Sequence, residues 1–183
     1  MAQKNILQYI LLGLLAQNDM AGYDIKKLFD TEISDFWHAN HSQIYPELRR
    51  LEAEGYIEAT TEIVGEKLEK HRYHITEKGY PLLNQWMSDS LGKIPPSKDE
   101  FPIKAYFISD ATDPVMTALI NEEIERHATL LAYLEGRMDT VCPKGIIEHY
   151  GHALILRRAI HREKAFLSWL EEEKQLLKEQ LHK

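Results

Sequence analysis

Cysteine is nearly absent: Cys142 is the one thiol in 183 residues. It cannot close an intramolecular disulfide, which excludes a stapled secreted scaffold and fits a reducing, cytoplasmic setting. Long apolar runs are missing too. The longest, Tyr9–Ala16, holds eight residues counting Gly13, against the ~20 needed to cross a bilayer, so no membrane partner is expected. Lys4 precedes it as the whole basic flank, Gln8 breaks into it, and no small-x-small cleavage site follows, so it reads as a buried helix rather than a signal peptide. Basic charge is not in excess: 22 Lys and Arg face 29 Asp and Glu, a net charge of −7. That excludes a generally basic nucleic-acid coat protein and leaves room for a local patch. With 44% hydrophobic residues the chain is too apolar for disorder.

Catalytic signatures are also lacking. There is no HExxH, no CxxC, no glycine-rich phosphate loop and no GxSxG turn, so metal-assisted hydrolysis, nucleotide hydrolysis and Ser-His-Asp catalysis have no support. His38/His41, His71/His74 and His149/His152 stand three apart, short of the three or four ligands a zinc site requires. They read as exposed or hydrogen-bonded side chains, and Cys142, with no base beside it, reads as inert. The expectation is a non-enzyme with no metal and no cofactor.

What is present falls into two halves around a break at Gly92, Pro95 and Pro96, giving a unit over 1–91, a linker over 92–100 and a helical unit over 101–183. In the first, Ile6, Tyr9, Ile10, Leu14 and Leu15 recur at helical spacing and predict a helix over 4–17. A second helix is expected to run to about Phe36 with Ile25, Leu28, Phe29 and Ile33 inward. A third covers 42–54 with Ile44, Leu48 and Leu51 inward, stopped by Gly55. Tyr56–Val64 and Arg72–Ile75 predict a β-hairpin with a charged tip over 65–70, and a fourth helix opens at Thr76. This order, mainly α with a small β-hairpin, is that of a winged helix-turn-helix.

In the second half, Ile120, Ile124, His127, Leu131, Leu134 and Met138 step by four and three, as do Leu156, Ile160, Glu163, Leu167, Leu170, Lys174, Leu177 and Leu181. Two long helices, separated at Cys142–Gly145, would fold back and bury these seams on each other. Phe166, Trp169 and Leu176 then need another surface, most simply a second copy, which predicts a homodimer through a C-terminal long-helix domain.

A winged helix reads double-stranded DNA through the N-terminal end of its third helix. Ser42 and Gln43 stand there; Ser42 can also cap the helix, and Gln43 can meet adenine in a bidentate way. Tyr45, Arg49 and Arg50 can reach phosphates, and Pro46 is tolerated near the first turn. The hairpin tip adds Lys67, Lys70, His71 and Arg72. Residues 1–92 carry 9 basic and 14 acidic side chains, yet five of the nine lie at Arg49–Arg50 and Lys67–Arg72. Solvated helix faces and hairpin tips carry such charges routinely; the order of elements around them is what points to a narrow, salt-dependent footprint.

Tyr9–Leu15, Ala21-Gly22-Tyr23-Asp24-Ile25, Ser42-Gln43-Ile44-Tyr45-Pro46-Glu47-Leu48, Leu51-x-x-Glu54-Gly55-Tyr56-Ile57 and Tyr73-x-Ile75-Thr76-x-x-Gly79 resemble the PadR family of bacterial transcriptional regulators, and the helical tail resembles that family's longer branch. Phe36-Trp37-x-x-x-His41-Ser42-Gln43, Lys67–Lys70 and Lys104–Ser109 are similar to its phenolic-acid-responsive repressors. The resemblance implies a dimer held by C-terminal helices, binding at an inverted repeat, and release by a small molecule. For a small aromatic acid it suggests an apolar slot between the two domains, drawn from Tyr9, Phe36, His38, Lys104, Phe107 and His149, with Lys104 or His38 meeting the carboxylate. Two other readings stand beside it: a related sensor of a cationic drug, and a helical dimerisation scaffold that would leave the wing and Gln43 unexplained.

Overall fold

The computed structural model describes residues 5–37, 40–64, 68–93, 99–147 and 149–181. The chain divides into two compact units, Met1–Lys93 and Ile94–Lys183. The first contains α1 (Ile6–Gln17), β1 (Met20–Ala21), α2 (Gly22–Thr31), a 3₁₀ turn (Ile33–Asp35), α3 (His41–Ala53), β2 (Ile57–Val64), β3 (Leu68–Ile75) and α4 (Gly79–Ser88). Its core joins Leu11, Leu12 and Leu15 of α1, Ile25 and Phe29 of α2, and Ile44, Leu48 and Leu51 of α3. Ile57, Ile75 and Leu83 complete it from the hairpin and α4. Each such buried aliphatic or aromatic side chain contributes about 1.5–3 kcal/mol over leaving it in water.

Several boundaries differ from expectation. The second helix stops at Thr31, not Phe36: Thr31 Oγ1 donates to the Lys27 carbonyl and Ser34 Oγ to that of Asp30. Hydroxyls so placed compete for helical carbonyls, and the chain tightens into the 3₁₀ turn. Gly55 does end α3, with φ +74°, and the Tyr56 N–H closes the last turn on the Leu51 carbonyl at 2.9 Å. The fourth helix opens at Gly79 rather than Thr76, because the Thr76 hydroxyl donates to the Gly55 carbonyl at 2.8 Å and accepts the Gly79 N–H at 3.3 Å. The first hairpin strand matches its expected span to within a residue, whereas the second starts at Leu68 rather than Arg72, and the two pair without slip from Ile57↔Ile75 to Val64↔Leu68. β1 was not foreseen. It pairs Met20↔Tyr73 and Ala21↔Arg72, giving an antiparallel sheet ordered β1-β3-β2; two residues are too few to carry a periodic signal.

The second unit contains α5 (Glu100–Phe107), α6 (Pro114–Val141), a 3₁₀ turn (Pro143–Gly145) and α7 (Tyr150–Leu181). Asp99 and Asp113 cap α5 and α6 by accepting the N–H groups of Phe101 and Val115. The long helices pack on each other along the predicted seams, with Ile120, Leu134, Leu156 and Leu170 buried. The polar interruptions lie inside that contact. Glu123 and Glu163 are 2% and 1% exposed, and His127 Nδ1 meets Glu163 while its Nε2 lies 3.2 Å from Glu123. Arg126 and Arg162 close on the same two carboxylates from the surface. Phe166 differs from expectation: it packs inside its own unit, on the cluster of Phe101, Leu119, Ile120 and Leu170, and against the His127 ring at 4.4 Å. Trp169 and Leu176 stay exposed. No helix among the described residues is long and apolar enough to cross a membrane.

Candidate nucleic-acid interface

The turn-and-helix segment of the first unit places α3 so that its surface divides into three faces. Ile44, Leu48 and Leu51, spaced four and three apart, are fully buried and fix the helix to the core. Ser42, Tyr45, Pro46 and Arg49 recur at the same spacing on an exposed face. Between these lie Glu47 and Arg50, on the side turned to α1.

The exposed face is backed by a close approach. A Cβ on Gly22, the first residue of α2, would meet Tyr45 Cε1 at 2.9 Å and Tyr73 Cε2 at 3.6 Å, so the glycine leaves room for the Tyr45 ring. Burial pushes the Tyr73 hydroxyl above its ordinary value, the Glu52 charge and Tyr45 add to this, and the Arg49 guanidinium opposes it. Tyr45 and Arg49, one turn apart on the open face, are an exposed phenol and an exposed cation. Such a pair can donate to phosphate oxygens.

Four expectations on α3 are met differently. Ser42 is not the cap: Asn40 is, in a capping box whose second half is the Asn40 N–H donating to Gln43 Oε1 at 3.2 Å. Gln43 faces solvent at the helix start, but its acceptor oxygen is engaged, and a bidentate contact to adenine would have to replace that bond. Because the helix starts at His41, Pro46 lies inside it, beyond the first turn. Arg50 does not stand beside Arg49. Its Nη2 donates to Glu47 at 2.6 Å and to Gln8 Oε1 of α1 at 2.8 Å, and its Nη1 reaches both Glu54 oxygens at 2.6 and 2.7 Å. The hydrogen bond that Arg50 donates to Glu47 is the largest cause of an Arg50 pKa well above its ordinary value; burial works against it and Glu54 reinforces it. Neighbours one position apart on a helix point about 100° apart, which separates the two arginines.

In the wing, Arg72 is not at the tip. It lies within β3, and its Nη1 donates to the Asp19 carbonyl at 2.8 Å, tying the sheet to the end of α1. His71 is exposed and lies 3.4 Å from Thr61 Oγ1. Lys70 pairs with Glu62 in the ladder, and Lys67 lies outside the described residues. Sequence reasoning missed Asn40, Asn5 and Gln8. The Asn-x-x-Gln spacing of a capping box was the available signal for the first; polar residues in α1 gave none for the others.

The residues expected to meet a small acid fall in both units. In the first, Tyr9 is buried and stacked on Trp86 with centroids 4.7 Å apart, and Phe36 is exposed after the 3₁₀ turn; His38 lies outside the described residues. In the second, Lys104 pairs with Glu100 at 3.5 Å, Phe107 makes an edge contact with Tyr106 at 5.3 Å with both rings exposed, and His149 is exposed before α7.

Residues 11–85 match the family model described as Transcriptional regulator PadR-like family, and residues 97–178 match Virulence activator alpha C-term. The negative transcriptional regulator PadR of Bacillus subtilis is 38% identical over 171 residues, covering 91% of this chain and 94% of that protein. Its crystal structure in complex with operator DNA superposes with a TM-score of 0.84 at 36% identity, over 96% of this chain and 99% of the other. The complex of the same protein with p-coumaric acid gives 0.81 at 33%, over 95% and 99%. The virulence activator AphA of Vibrio cholerae gives 0.75 at 26%, also over 95% and 99%. A relative this similar along nearly the whole chain, together with a winged helix whose third helix keeps one face open, decides the family: the protein belongs to the PadR-like transcriptional regulators.

Proposed function

We propose that this protein is a homodimeric repressor that binds an inverted-repeat operator and is released by a small aromatic acid. The observation that carries the DNA-binding part is the three-way division of α3: one face fills the core, one faces α1, and Ser42, Tyr45 and Arg49 are left open at the end that enters a major groove. Likeness to an operator-bound relative over nearly the full chain supports it. Ser42 and Gln43 are the base-reading end, Tyr45 and Arg49 meet phosphate, and Lys67 and Lys70 of the wing add backbone contacts. Two recognition helices related by a two-fold axis would enter successive major grooves, about ten base pairs apart.

The dimer part rests on apolar side chains that the helical unit leaves exposed, including Tyr133, Leu154, Trp169 and Leu176; isologous pairing of such a face buries it. The effector part rests on the p-coumaric acid complex of the Bacillus relative and on Phe36, Lys104, Phe107 and His149, with Tyr9 and His38, as the aromatic and cationic groups for a planar acid. A ligand that favours the unbound arrangement lowers operator affinity by linkage.

The test is a gel-shift titration on DNA upstream of the protein's own gene and its neighbours, at two salt concentrations, with and without p-coumaric acid. A specific, salt-sensitive shift abolished by the acid is expected. A specific shift unmoved by the acid overturns the effector assignment, and failure to enrich any duplex from random DNA overturns the repressor reading. A monomer in micromolar sedimentation would end the dimer.

A further inference from the structure

The polar edge of α3 is built as a link to α1, and it involves Gln8, the residue that interrupts the longest apolar run of the sequence. Arg50 uses all three guanidinium nitrogens: Nε lies 3.2 Å from each Glu47 oxygen, Nη1 meets Glu54, and Nη2 meets Glu47 and crosses to Gln8 Oε1. A second crossing runs the other way. Asn5, at the N-cap position of α1, makes no cap hydrogen bond with its side chain and instead donates from Nδ2 to Glu47 Oε1 at 2.8 Å. The Glu47 side chain, 12% exposed, is thus held from both helices, while Arg50 remains 37% exposed.

We infer that Arg50 is a positioning residue that fixes the angle of α3 against α1 through Gln8, Glu47 and Asn5, and so sets operator selectivity without touching DNA. Apolar packing of Ile44, Leu48 and Leu51 holds α3 to the core but, being non-directional, opposes small rotations about the helix axis only weakly. The crossings oppose them: Glu47 and Glu54 of the same helix orient the planar guanidinium so that its Nη2 has one direction, toward Gln8, while Asn5 holds Glu47 from the α1 side. Base reading needs side chains placed within a fraction of an ångström, whereas phosphate contact is forgiving. The two arginines therefore have separable signatures. Arg49 neutralises phosphate on any DNA; Arg50 sharpens the preference for one sequence.

The inference rests on α3 being the reading helix, and the experiment separates the two. Full-length protein is titrated with a duplex that the wild type enriched from random DNA and with a random duplex of equal length, over a range of salt. Arg49→Met should weaken both duplexes and lower the slope of log K against log salt by about one. Arg50→Met should lower the ratio of selected to random affinity by about tenfold with the slope unchanged. Asn5→Ala combined with Gln8→Ala cuts the crossings while keeping every charge, and should lower the ratio several-fold if Arg50→Met does not fold. Gln8→Glu, which retains an acceptor, should restore it beside Asn5.

A slope reduced by about one in Arg50→Met, with both duplexes weakened alike, would make Arg50 a phosphate contact and overturn the inference. An unchanged ratio in the double variant, with only its melting temperature lowered, would make the link merely structural. If wild type enriches no duplex, the operator reading fails and the inference falls with it; if it does, and Arg49→Met leaves the slope alone, the face assignment alone is wrong.

Discussion

The two units solve the same packing problem with different chemistry. The first closes on an apolar core: Leu11, Leu12, Ile25, Ile44, Leu48, Leu51 and Ile57 are all fully buried, and its polar network, around Arg50, lies at the edge. The second buries charge in the middle of its helix pair, where Glu123 and Glu163 meet through His127. Apolar packing is strong but non-directional, and suits a small domain that only has to be compact. Two long helices with leucine seams can slide by a turn at little cost in area. A charged group buried at one level makes such a slip costly, because it leaves carboxylates unpaired in a dry contact. The difference teaches that affinity within this chain comes from the apolar seams and register from the polar one.

That contrast can be broken in order of expected effect. Leu48→Ala, at a fully buried site, should cost about 3–5 kcal/mol in urea unfolding, since α3 cannot collapse onto the gap without moving its open face. Glu163→Leu should cost about 3 kcal/mol by leaving Arg162 without its carboxylate and His127 with Glu123 alone, whereas replacing Glu123, His127 and Glu163 together by leucines should restore most of it. If the triple variant stays as weak as the single one, the charges do more than set register. Gly79→Ala should cost about 2 kcal/mol, because a Cβ would meet the Tyr56 carbonyl oxygen at 2.4 Å and Ile75 Cγ1 at 2.6 Å.

The smallest effect is in pH. Burial pushes the Glu163 carboxyl up, but hydrogen bonds from His127 and Arg162 and their charges outweigh it and hold the pKa below the ordinary 4.5. A depressed folded-state value means that the stabilisation is fully present above about 4.5 and is lost as pH falls through the folded value. Unfolding midpoints between pH 7 and pH 3 should drop less steeply in Glu163→Gln than in wild type, and parallel profiles would remove Glu163 from the acid response.

Much of this was legible in advance, residue by residue. Ile44, Leu48 and Leu51 announced the buried face of α3, and Gly55 its end, because helical period and left-handed backbone are local properties. The leucine seams announced two helices packed together. Other features were invisible because they depend on partners distant in sequence. β1 exists only because β3 is beside it, and Arg72 is occupied only because the Asp19 carbonyl comes within 2.8 Å. Phe166 is covered within its own unit because α5 adds Phe101 to the cluster it packs against.

The sequence by itself determined the order of the first four helices and the hairpin, the two long helices, the family and the set of side chains from which a DNA contact could be made, since periodicity and motifs are written in neighbouring residues. Only the tertiary structure sets Arg49 apart from Arg50. They are adjacent and chemically identical, and what separates them is a turn of about 100° that leaves one open and points the other at Glu47, Glu54 and a glutamine 42 positions away.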